Sequence, residues 1–245
     1  MNKRVNYQVG VFNGVVDNSL SDAAVSSHRD YAGRILLNPF ATNENVLQGL
    51  GIGLGATGGN VDGLGLPSFK TIGQNTFFTF ASGVSEAGHR TRLAPQAYYY
   101  IGPFGLLVED GLTEEGLQKG NVRRDIAFRA WQTEVSYILT GEKKGFTSPT
   151  PRHPFDPMRG SWGALELAVR TGEFGADHSI FSYGFASPTA TPRSAREWVG
   201  GANWYLNRLV RISGDYAVTG FEGGATAGNR ANERVILFRF QLNFI

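Results

Sequence analysis

WVGGANWYLNRLVRISGDYAVT, residues 198–219, reads as two alternating strands around a very short corner. In its second half Val210, Ile212, Gly214, Tyr216 and Val218 share one face, and Arg211, Ser213, Asp215, Ala217 and Thr219 share the other. One face suits lipid and the other water, the dyad pattern of a transmembrane β-hairpin. Trp204 and Tyr205 stand beside the Asn207-Arg208 corner, where an aromatic girdle meets a membrane surface. The pattern returns near the end of the chain, where Ile236, Phe238, Phe240, Leu242 and Phe244 alternate with Leu237, Arg239, Gln241 and Asn243. The fold expected is all-β: an antiparallel transmembrane β-barrel.

Composition agrees with that reading. The chain holds 245 residues, 33 of them Gly, with no Cys and a mean hydropathy of −0.20. No apolar run of about 18 residues is present, which excludes a membrane helix but not a barrel, where only alternate residues face lipid. Without Cys there is no disulfide framework and no thiolate zinc site. A net charge of +2 is too small for a nucleic-acid binder. Met1 is not followed by a charged and then an apolar segment, so no signal peptide is seen and this N-terminus is read as other than the natural start.

Along the chain, alternation marks strands at Val5–Val15, Tyr31–Asn38, Gln48–Gly59, Arg90–Glu109 (a hairpin cornered at Gly102-Pro103), Arg124–Thr140 and Trp162–Arg170. The whole of 1–245 reads as one barrel domain of about ten strands. Gly49, Gly51, Gly53 and Gly55 give one strand a bare face, expected to receive a folded-in loop; no helix follows to make a phosphate-binding loop. Thr57–His89 reads as a long loop carrying Lys70, the candidate constriction residue. Leu112–Asn121, the stretch from Arg170 to Arg196 and Phe221–Asn232 read as loops, and Gly141–Gly160 as a Gly/Pro-rich connection. Arg129 falls in the apolar phase of its strand, which implies a bulge or an exit from the membrane there.

Five segments in order, AYYYIGPFGLLVE (97–109), YILTGEKKGF (137–146), PFDPMRGSWGALELAVR (154–170), ANWYLNRLVRISGDYAVTGF (202–221) and RVILFRFQLNF (234–244), resemble the phosphate-selective porins O and P. The resemblance implies a homotrimeric, sixteen-stranded channel in the outer membrane of a Gram-negative bacterium, bathed in lipid and passing small anions, phosphate or polyphosphate among them. It further implies that these ten strands are the C-terminal part of such a barrel, lacking a signal peptide and about six N-terminal strands. Ile245 after the terminal aromatic departs from the family pattern.

In a barrel the polar phase faces the lumen, and there the sequence places Arg34, Arg90, Arg92, Arg170, Arg211 and Arg239 as anion contacts. Glu109, Glu134, Glu166, Asp215 and Glu233 are interleaved, so cross-strand pairing competes with that role. His28, His89, His153 and His178 share no metal-ligand or triad spacing, and no catalytic motif is present; neither enzyme nor cofactor is expected. The other readings are a general diffusion porin without phosphate preference and a soluble β-sheet protein binding ligands through aromatic loops.

Overall fold

A computed structural model describes residues 4–13, 28–42, 45–63 and 66–243. Among these residues there are thirteen strands and almost no helix. In chain order they are β1 (Val5–Asn13), β2 (Arg29–Leu37), β3 (Leu50–Gly63), β4 (Phe69–Lys70), β5 (Thr76–Phe78), β6 (Val84–Ile101), β7 (Phe104–Lys119), β8 (Val122–Ile138), β9 (Ala164–Ala176), β10 (Pro192–Tyr205), β11 (Val210–Ala225), β12 (Gly228–Asn229) and β13 (Glu233–Leu242). Ten of them pair antiparallel, each with the next: β1, β2, β3, β6, β7, β8, β9, β10, β11 and β13. This meander is the sheet that local hairpins build when connections alternate between short corners and long loops. Among the described residues β1 pairs only with β2 and β13 only with β11, so the sheet is open and not a closed barrel.

Residues directly opposite across an antiparallel pair share a face, so the register fixes the sidedness of the whole sheet. One row runs from Ile35 through Leu54 to Pro95; another joins Val135, Val169, Gly200, Tyr216 and Ile236. This outward face stands open, with Val9 84%, Phe238 83%, Phe240 68% and Ile236 65% exposed. A contiguous apolar belt of that kind is untenable in water and natural in hydrocarbon. No helix among the described residues is long and apolar enough to cross a membrane, so the crossing falls to strands.

The expected alternation is found, with several differences. The Thr57–His89 stretch is loop only in part: β3 runs on to Gly63, β6 begins at Val84, and the short β4 and β5 lie between. The 112–121 stretch is not a loop: β7 and β8 run on to a two-residue turn at Gly120-Asn121. There the hairpin projects past the apolar belt, its outward positions turn polar (Glu114, Gln118), and an apolar/polar test no longer marks a strand. Likewise β9 extends to Ala176 and β10 begins at Pro192; the stretch between is not simply polar, since it buries Ile180 and Phe185. In the Phe221–Asn232 stretch β11 continues to Ala225. The bare glycine face of β3 does not receive a loop; β6 side chains lie across it instead. A Cβ on Gly51 would sit 2.1 Å from the Tyr98 ring. Of the two readings of Arg129, a bulge is excluded, because the register of β8 with β7 and β9 is continuous; the outward guanidinium forks both oxygens of Asp110 at 2.7–3.1 Å.

Residues 66–83 fold against the inner face on the far side from the glycines. Among them Phe69, Phe77 and Phe78 pack on Phe128 of β8, Phe174 of β9 and Phe221 of β11, with Phe69 and Phe174 centroids 4.7 Å apart. Polar ties fix the ends of this segment: the Thr71 hydroxyl donates to Glu233 Oε1 at 2.7 Å, and the Ala81 amide to the Phe185 carbonyl at 2.8 Å. At the opposite, short-corner end, the 139–163 connection is also ordered. Glu142 clasps it by accepting from the Thr140 hydroxyl and the Arg152 amide. Burial pushes that carboxyl up, but those hydrogen bonds outweigh it and hold it below the usual carboxylate range.

Candidate functional site: the inner passage

Between the folded-in loop and the β6–β11 wall lies a cavity of about 1270 Å³. That is above the usual 300–1,000 Å³ of a small-molecule pocket. Lys70, Thr71 and Gln74 project from the loop side, while Gln96, Gln132 and Thr219 face them from the wall. Its chemistry is therefore amide, hydroxyl and charge, with no group of three metal-ligating side chains among the described residues.

The charges in this passage are not equivalent. Arg170 on β9 donates to Glu197 on β10 at 3.2 Å, so its guanidinium is part of an ion pair. Glu109 accepts a bond from Gln132 at 2.5 Å. Lys70 is exposed and has no hydrogen-bond or ion-pair partner among the described residues. No carboxylate among the described residues pairs with it.

All six arginines named from the sequence lie on the inner phase, but they are not gathered into one site. Arg34 and Arg92 line a second hollow of about 410 Å³ with Gln8 and Thr57. Arg90, only 4% exposed, bridges Asp30 at 3.1 Å and Glu86 at 3.4 Å and works as a strut between β2 and β6. The bulge between Glu86 and Arg90 turns that strut inward; Gly88 there has φ +115°, a conformation open to glycine. Arg211 donates to Gln241 at 2.5 Å and lies 5.8 Å from the Tyr205 ring centre. Arg239 is exposed on β13, opposite Ser213.

Sequence reasoning missed two features of this face. The first is the amide and hydroxyl lining, because Gln96, Gln132 and Thr219 are unremarkable in any strand. The second is Lys144, which leaves the 139–163 connection to pair with Glu166, a carboxylate 1% exposed that also accepts from Tyr205 at 2.7 Å. A lysine in a Gly/Pro-rich stretch carries no local sign of such a reach.

Compared with known proteins, residues 70–244 match the family model described as phosphate-selective porin O and P. No curated protein matches the chain.

Proposed function

Since the match spans well over half of its length, this chain belongs to the phosphate-selective porin O and P family, and from that premise we propose that it forms part of an outer-membrane channel for passive diffusion of small anions. The family points to a channel rather than an enzyme, and to the outer membrane as its place. The finer reading adds closure by further strands, sixteen in all, in a trimer in a Gram-negative cell. That β1 and β13 each have one unpaired edge among the described residues supports the first of these, since exposed strand edges seek partners.

The observation that supports the anion reading is Lys70, held on the loop without a carboxylate partner among the described residues over a passage in which Arg170 and Glu197 are paired with each other. A solute entering from the loop end meets Lys70 and Arg170, with Arg34 and Arg92 on the neighbouring wall and Arg211 and Arg239 nearer the corner end. Ammonium and guanidinium donors replace part of an anion's hydration shell, and several weak contacts let it leave again. Arg90 is left out of that set because its fork is committed to two carboxylates. Transport needs no cofactor and no chemical step.

A general diffusion pore is the second reading, favoured by Glu109 and Glu197 on the same passage. Titrating inorganic phosphate against a chloride current in a planar bilayer separates the two. Phosphate selectivity predicts that the chloride current falls at phosphate concentrations far below that of chloride. A chloride current indifferent to phosphate would leave only the general pore.

A further inference from the structure

The outward belt ends at its loop side in a row of charges that conduction through the inner face does not use. On β8, β10 and β13 the first outward residue past the belt is an arginine in each case: Arg129 after Trp131, Arg196 after Trp198, and Arg234 after Ile236. Arg129 and Arg196 are 63% and 61% exposed, although each forks a carboxylate. Their partners, Asp110 and Glu173, lie behind them at 22% and 27%. In each the second terminal nitrogen of the guanidinium still has its N–H donors to offer. Arg234 is exposed and has no partner among the described residues.

The three positions are aligned as a membrane plane would align them. The β10 residue level with Arg129 is Ser194, and Arg196 sits two residues nearer the corner end. From Arg196 the level position on β11 is Gly220, and Arg234, opposite Val218, is again displaced by two toward the corner end. That is one residue per strand, about 3.3 Å along against about 4.8 Å across, or a tilt of about 35°. Barrel strands cross a bilayer at about 35–45°, so the row is level with the membrane. Neighbouring arginines are then about 12 Å apart along the headgroup boundary, each of the first two with a tryptophan on its hydrocarbon side.

We propose that Arg129, Arg196 and Arg234 form a docking row for the phosphate groups of lipids in the loop-side leaflet. This rests on the reading of the outward belt as lipid-facing. The charge complementarity is specific: guanidinium forks match phosphate oxygens, and the carboxylates are set back while the cations stand forward. Phosphate held here belongs to a lipid and not to a permeating solute, because the row lies on the face opposite the passage.

The test uses the native-length protein refolded in detergent, titrated with diphosphoryl lipid A or with diacylglycerol and read by native mass spectrometry. A folded-band shift between unheated and boiled samples on SDS gels checks each variant. Arg234→Gln, which breaks no ion pair, is expected to weaken lipid A binding about fivefold, and the triple Arg→Gln variant at least tenfold. Arg208→Gln at the opposite, corner end should bind as the unaltered chain does, and diacylglycerol should not be retained. Undiminished lipid A binding by folded Arg234→Gln, an equal loss in Arg208→Gln, or equal retention of diacylglycerol would each overturn the proposal. So would a change in chain–chain association with lipid binding intact. Absence of the band shift in the unaltered chain would instead overturn the lipid-facing reading beneath it.

Discussion

Phe78→Ala is expected to release the folded-in loop and widen the passage. Phe78 is fully buried, with the rings of Phe69, Phe80, Phe128 and Phe174 all centred within 6.0 Å. Truncating such a phenylalanine costs about 3–5 kcal/mol, the lost transfer energy plus the cavity left behind. The sheet does not depend on this contact, because its strands are held by their own ladders. The cost therefore falls on the loop, which keeps the contacts of Phe69 and Phe77 with Phe174 and Phe221, the Thr71–Glu233 bond, the Thr191 and Arg230 side-chain bonds to its carbonyls, and a few backbone bonds. Those bonds contribute about 1 kcal/mol each, less than the packing they would have to replace. Single-channel conductance should rise severalfold and become noisy, while the folded-band shift on SDS gels is retained. Conductance equal to that of the unaltered channel would show that the loop does not limit the pore.

The second large effect is expected from Lys70→Glu. An anion about 5 Å from a unit charge gains roughly 1 kcal/mol in water and roughly 3 kcal/mol at an effective dielectric of about 20. Reversing the charge doubles the swing, and the rest of the passage does not buffer it, since Arg170 is already engaged by Glu197. With Glu109 and Glu197 on the wall, the reversed loop would make the passage acidic throughout. The anion-to-cation permeability ratio should fall by about tenfold or more at 0.1 M salt, where screening sets in at about 10 Å. Lys70→Arg should leave it nearly unchanged. A ratio indifferent to Lys70→Glu would move the selectivity site elsewhere along the inner face.

How far the sequence foretold this arrangement depends on which distances matter. Side-chain sidedness was legible, because period-two alternation is a local property and lipid enforces it: Arg34, Arg92, Arg170, Arg211 and Arg239 all lie on the inner phase. What lay beyond the hydrocarbon was less legible. Glu114 and Gln118 occupy outward positions of a strand that has left the belt, and polar residues on both faces look like loop. Least legible were contacts made across the lumen. The run FFTF at 77–80 gives no hint that Phe77 and Phe78 meet Phe174 about a hundred residues later, nor does Lys144 announce Glu166. Arg90 shows the same limit from the other side: it lies on the inner phase, but Asp30 of β2 and Glu86, four residues back on its own strand, take its fork out of the passage.

The measurement that bears most directly on the whole account is the zero-current potential of the native-length protein in a planar bilayer under a tenfold potassium chloride gradient. The account predicts an open channel whose potential has the sign of anion preference and moves toward zero as salt screens Lys70 and the inner arginines. A potential of cation-selective sign, from a barrel shown by its folded-band shift to be intact, would contradict it.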